Sequence, residues 1–358
     1  MDQETNILGM LDLMVCPSFC VKDQKIVKCN ASARTLLLEE GMDIVPMLAT
    51  GRTEYAEYTD GTLYLTLQIS DAKWGSSVNR MGEWDIFQLE ESADRAELQA
   101  MALAARELRG PLAGIMTTAD RLFPMEALED DPQLREQAAR LNRGLYQMLR
   151  IIGNMSDAES YAMPRHTQME TLEIQEFFRE IFEKNQNLAT HAGMTLRFTN
   201  LDRKLYMLAD REKLERAVMN MISNALKFTA PGGTIEIKIF RREQKLYLTV
   251  RDSGEGIPDE IRGSVHQRYL RQPGIEDSRF GIGLGMVLIR SAAAIHGGTV
   301  LIDHPEDTGT RITMTMSIRQ DTSGNVRSPL LRIDYAGERD HSLVELAEIL
   351  PASLYENI

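Results

Sequence analysis

The stretch Leu214–Gly233, LERAVMNMISNALKFTAPGG, decides the reading of this chain. Its apolar residues recur at helical spacing as far as Phe228, and Pro231-Gly232-Gly233 ends the run. Asn220, Asn224 and Lys227 stand four and then three apart, so they share one helix face. An amide oxygen beside an ammonium suits a metal ion and the phosphates it bridges. Magnesium takes oxygen ligands and keeps several waters, so one asparagine plus phosphate oxygens is enough. Such a face alone is most often surface and core, and its meaning depends on what else the chain provides.

Two glycine-rich segments downstream provide it. In Leu248–Pro258, LTVRDSGEGIP, a β-run ends in Asp252, and Gly254 and Gly256 let the backbone come close to a ligand. A carboxylate there can accept a hydrogen bond from the exocyclic amine of adenine. In Phe280–Met286, FGIGLGM, glycines open a helix that continues as VLIRSAAAIHGG. The free backbone N–H groups at such a start favour phosphate. Gly297-Gly298 and a late strand start at Gly309-Thr310 complete the pattern.

The order and spacing of these segments resemble the ATP-binding domain of sensor histidine kinases, in the GHKL superfamily with gyrase, Hsp90 and MutL. The resemblance implies an α/β sandwich holding ATP between helices and a mixed sheet, under a lid. By that pattern Asn224 ligates magnesium with Asn220 beside it, Lys227 reaches phosphate, and Phe228 lies near the adenine. Asp252 reads the adenine amine, with Gly254 and Gly256 alongside. Gly281, Gly283, Leu284 and Gly285 form the phosphate-side lid, and Thr310 supports the Asp252 end. The gyrase and Hsp90 branch places a glutamate one turn before the magnesium asparagine, where this chain has Asn220. Without that general base direct ATP hydrolysis is not favoured, which leaves phosphoryl transfer or binding without turnover. A second departure lies in Ser264–Arg271, SVHQRYLR, where the family has an aromatic box: Arg268 and Tyr269 match, but His266 replaces phenylalanine.

Upstream, Leu98, Met101, Ala105, Leu108, Leu112, Ile115, Ala119 and Leu122 form a heptad seam. After breaks at Phe123-Pro124 and Asp131-Pro132 a second seam runs through Leu134, Ala138, Leu141, Leu145, Met148, Ile152 and Met155. Two seamed helices make an antiparallel hairpin whose narrow stripes stay wet unless two copies form a four-helix bundle, so a homodimer through residues 91–163 is expected. The alternative is a hairpin packed on its own chain. The segment ARELRGPLAGI, residues 105–115, resembles the phosphoacceptor box of histidine kinases, roughly S-H-E-L-R-T-P-L. Glu107, Leu108, Arg109, Pro111 and Leu112 match, but Arg106 stands where the histidine belongs. A guanidinium stays protonated and is a poor nucleophile, so the family role of Glu107 in orienting the acceptor has no imidazole to serve. Pro111, lacking an N–H, is expected to kink the helix. None of the six histidines precedes His166, and that one follows Pro164 in a linker position.

Residues 1–90 read as a small mixed domain. Pro17–Leu37, PSFCVKDQKIVKCNASARTLL, resembles the opening of a PAS sensor domain: strand, turn, strand, then Asn30 starting a short helix. Cys16, Cys20 and Cys29 cluster, but three thiols with no histidine nearby more often serve as small buried hydrophobes than as a metal site. Residues 320–358 form a tail ending in the apolar LVELAEILPASLY, expected on the ATP-binding domain or at the dimer interface.

The chain is thus expected to be multidomain α+β: a PAS-like domain at 1–90, a helical hairpin at 91–163, an α/β-sandwich ATP-binding domain at 167–319 and a tail at 320–358. The balance of 53 acidic against 40 basic residues, net −13 over 358, argues against nucleic-acid binding through a general basic surface. No apolar run is long enough for a membrane span, no signal peptide is evident, and three cysteines suit a reducing cytoplasm. By resemblance the chain binds Mg·ATP without autophosphorylating on histidine, and acts as a regulatory dimer that engages a response regulator or other signalling protein. The alternatives are a kinase acting on a non-histidine residue or on a partner protein, and a scaffold with a dead site.

Overall fold

The N-terminal region folds because three polar-tipped hairpins and one asparagine organise it. The computed structural model describes residues 9–89, 93–124, 128–129, 131–162, 167–256, 284–305, 308–320 and 339–356. Strands β1 (Ser18–Lys22) and β2 (Lys25–Cys29) meet at Asp23-Gln24, both at positive φ, the conformation a two-residue hairpin loop requires. Asn30 then caps helix α1 (Ala31–Arg34): its Oδ1 accepts from Ala33 N at 2.8 Å and Ser18 N at 3.0 Å, while its amide donates to the Met14 and Cys16 carbonyls. Helix α2 (Arg52–Glu57) leads into β3 (Thr62–Ile69), β4 (Ala72–Met81) and β5 (Trp84–Leu89). The sheet order is β2-β1-β5-β4-β3. Phe19 and Phe87 stack at 4.9 Å in its core. Cys20 and Cys29 are buried there, and burial pushes the Cys29 thiol up to about 11.

Helices α3 (Ala93–Leu122) and α4 (Pro132–Ala162) form the hairpin. Asp131 starts α4 by accepting from the N–H groups of Gln133 and Leu134. Helix α3 is continuous through Pro111, which lies inside it.

The C-terminal half is a two-layer α/β unit. Strands β7 (Thr195–Thr199), β9 (Thr234–Arg242), β10 (Lys245–Asp252), β11 (Val300–Asp303) and β12 (Arg311–Ser317) lie in the order β11-β12-β10-β9-β7, with β7 parallel to β9. Helices α5 (Ile174–His191), α6 (Arg211–Phe228) and α7 (Leu284–Ile295) pack with this sheet around one apolar core, and β6 (Met169–Glu173) pairs with β8 (Tyr206–Asp210) in a small second sheet.

Two arrangements go beyond the domain list read from the chain. First, β3 pairs antiparallel with β11, Tyr64 opposite Val300 and Thr62 opposite Ile302, so the N-terminal sheet and the ATP-domain sheet are one ten-stranded sheet. Gly61 (φ +92) permits it: a Cβ there would sit 2.1 Å from the Ile302 carbonyl oxygen. Glu54–Lys245 and Glu57–Arg242 ion pairs flank the junction at 2.5 and 2.7 Å. Second, the tail is ordered between α4 and α6. Asp340 caps α8 (His341–Glu345), and a 3-10 turn at Ala352–Tyr355 seats Tyr355 edge-on to Tyr146 at 5.2 Å. Val344, Leu346, Ala347 and Leu350 are buried beneath it.

Candidate functional site

Helix α6 is held at its start by one residue doing three things. The Asp210 side chain accepts from Lys213 N as the N-cap and from Gln168 N, and its own N–H donates to His296 Nε2 at 3.0 Å. His296 Nδ1 lies 2.7 Å from the Ala292 carbonyl and carries the proton that bonds it. Burial lowers the His296 pKa, and the ring is neutral. The end of α7 therefore fixes the start of α6, which sets the rotation of the face bearing the two asparagines.

On that face the three predicted residues differ. Asn220 is buried; its amide donates to the Arg216 carbonyl at 2.8 Å, and its Oδ1 lies under Gly285, where a Cβ would approach to 2.8 Å. It joins α6 to the start of α7. Asn224 is half-buried, and among the described residues its side chain has no hydrogen-bond partner. This leaves its amide oxygen for a cation. Lys227, also half-buried, is not free: its Nζ lies 2.9 Å from Glu348 Oε2 of the tail.

The Asp252 end is built from backbone. Gly254 N and Thr310 N both donate to Asp252 Oδ1, at 2.9 and 3.1 Å, which leaves Oδ2 as the oxygen for a ligand amine. Desolvation of this buried carboxyl raises its pKa against those two bonds. The close approach requires glycine twice: a Cβ on Gly254 would meet the Phe228 carbonyl at 2.2 Å, and one on Gly309 (φ +88) the Asp252 carbonyl at 1.9 Å. These contacts draw together Phe228, Asp252, Gly254 and Thr310. Gly256 (φ +77) lies against the Gly309 carbonyl. The Leu284 side chain is buried against Met101 of α3 and Met155 of α4. Gly281, Gly283, His266, Arg268 and Tyr269 fall outside the described residues, as does His166.

In the hairpin, Arg106 and Glu107 are exposed on α3. The carboxylates that matter to the α6 face, Glu345 and Glu348, were missed. They lie three apart in LVELAEIL, which reads simply as an amphipathic stretch; their partners are too distant in sequence to leave a local signal.

Comparison with known proteins agrees with this geometry. Residues 209–320 match the family model for histidine kinase-, DNA gyrase B-, and HSP90-like ATPases. The chain is 29% identical over 242 residues to histidine protein kinase DivJ of Caulobacter vibrioides, covering 64% of this chain and 40% of that one. It is 28% identical over 241 residues to sensor histidine kinase WalK of Bacillus subtilis, covering 65% and 38%. It is 25% identical over 270 residues to histidine kinase P4 of Formosa agariphila, covering 74% and 19%. The chain thus spans well under half the length of each of these relatives. Together the matches support a sensor histidine kinase family, with the ATPase domain in the C-terminal half of the chain. A domain of this type implies ATP binding, with magnesium its usual companion. Among the described residues no helix is long and apolar enough to cross a membrane.

Proposed function

We propose that this chain is a nucleotide-dependent regulatory protein of two-component signalling, which binds Mg·ATP at the α6–Asp252 site and does not autophosphorylate in the hairpin. The carrying observation is the Asp252 carboxylate, with one oxygen pinned by two backbone N–H groups and two glycine positions at which a side chain would collide. Such a site suits adenine, whose exocyclic amine would donate to Oδ2. Asn224 would hold magnesium, and Lys227 would meet phosphate. Magnesium would neutralise phosphate charge there; the residues of this chain orient the nucleotide and exclude a carboxylate base from the Asn220 position.

Arg106 supports the second half of the reading. It is exposed where the phosphoacceptor box presents its nucleophile, and a guanidinium is a poor nucleophile. Dimerisation is supported by what the chain leaves uncovered: Leu108, Ile115 and Leu122, seven apart on α3, are 47%, 49% and 67% exposed, and Leu141 and Met148 repeat that spacing on α4. A second copy would cover both rows in a four-helix bundle. A PAS-like reading of the N-terminal domain is supported by its strand order and the Asn30-capped helix. A response regulator is the partner this architecture suits.

Calorimetry with Mg·ATP and incubation with labelled ATP test the proposal. Binding with no acid-labile phosphate on the chain is expected. Phosphohistidine on this chain would sink the reading, and acid-stable phosphate on a partner protein would make it a kinase with another acceptor.

A further inference from the structure

The tail carries an inference that rests on, and goes beyond, the ATP-site reading. Residues 340–356 bring two carboxylates to the cations of α4 and α6, and the two sit at different depths. Glu345 is fully buried between Arg216, at 2.8 Å, and Arg150, at 3.3 Å. Arg150 also donates to Ser223 Oγ, and Arg216 to Asn154 Oδ1. This inner cluster, with Leu346, Leu350 and Tyr355 around it, anchors the tail. Arg143 and Gln147 donate to the Ala347 carbonyl and strengthen the hold from the α4 side.

Glu348 is the outer contact. Its carboxylate lies 3.1 Å from Arg150 and 2.9 Å from Lys227, with 27% of the side chain still exposed. The contact reaches water on the Glu348 side, while Lys227 keeps 11% of its side chain exposed, so it is weaker and more exchangeable than the fully buried Glu345 pairs. Lys227 is the cation that the ATP-site reading assigns to phosphate. One ammonium can serve the carboxylate or the phosphate oxygens fully, but each at the other's expense. Because Glu348 is tethered beside its target, it competes at high effective concentration without any added ligand.

We propose that the tail is an internal competitor of the nucleotide: Glu348 occupies Lys227 in the ligand-free chain, and Mg·ATP displaces that carboxylate while Glu345 keeps the tail anchored. The device links nucleotide occupancy to the α4–tail–α6 contact, so that a bound phosphate loosens the connection between hairpin and ATP domain at its rim.

The test is Mg·ATP titration of the full chain and of Glu348→Gln, with the same pair repeated on a Lys227→Met background. Glu348→Gln should bind about two- to fivefold more tightly than the parent, and the gain should vanish when Lys227 is absent. Tyr355→Ala, which undocks the tail without touching a charge, should shift affinity in the same direction. Amide exchange within 340–356 should accelerate at saturating Mg·ATP. Equal affinity of parent and Glu348→Gln, with tail exchange unchanged by bound nucleotide, overturns the competitor while leaving the ATP site standing. Absence of Mg·ATP binding in every variant overturns the ATP-site reading and the competitor with it.

Discussion

Helices α3 and α6 carry the two halves of one expected chemistry, and the fold treats them in opposite ways. On α3, Arg106, Glu107 and Arg109 are exposed in succession. On α6 almost every residue from Lys213 to Leu226 is buried, and the helix is bonded at its start to Asp210 and near its end, through Lys227, to the tail. A surface residue such as Arg106 can change with little effect on stability, so the nucleophile can be lost while the protein still folds. The α6 face cannot drift so freely, because Asn220 and Arg216 also hold the core together. Retention of the nucleotide positions is therefore partly a packing requirement, and only binding measurements separate the two roles.

That comparison can be broken most forcefully at the tail. Glu345→Ala should leave Arg150 and Arg216 with only Glu348 and Asp157 to face them and cost about 3 kcal/mol, read as a fall in the urea midpoint. A change under 1 kcal/mol would show that the α4–α6 joint does not depend on this charge. Next, Asp252→Asn replaces the oxygen that accepts the adenine amine. It should weaken Mg·ATP by about 1.5–3 kcal/mol, ten- to hundredfold, in calorimetry. Unchanged affinity would assign α6 to packing alone.

A smaller effect is expected from pH. Burial lowers the His296 pKa below its unfolded value near 6.5. The unfolded chain therefore takes up the proton first, and the His296 contribution is present above about pH 6.5 and lost as pH falls through the folded pKa. His296→Gln should flatten the dependence of the urea midpoint on pH below that value; an unaltered slope would assign the effect to other groups. The smallest change in stability belongs to Arg106→His, within about 0.5 kcal/mol, but its chemical effect should be the gain of acid-labile phosphate. If none appears, more than the nucleophile is missing from α3.

Much of this architecture is legible in the chain because its signals are local. The breaks at Phe123-Pro124 and Asp131-Pro132 bound α3 and α4, since proline and an aspartate cap act within a turn of themselves. Asp252 and Gly254 meet locally, because a strand end and a glycine two residues on restrict the backbone. The failures are long-range. The burial of the Leu284 side chain against Met101 and Met155 has no local signal, because those partners lie on helices far away in sequence. The use of Gly61 as the point where two sheets meet depends on a strand far away in sequence. The heptad seams do not reveal that the tail covers part of α4, because Tyr146 and Tyr355 look like any core aromatic until they are brought together.

The join of β3 to β11 has a mechanical consequence. A ladder that runs only from Thr62–Ile302 to Tyr64–Val300 is short enough to unzip. It cannot slip by one residue, since that would turn Leu63 and its neighbours to the opposite face. The seam between the two sheets is thus fixed in register despite its shortness, and any displacement of one sheet along the other has to break it outright.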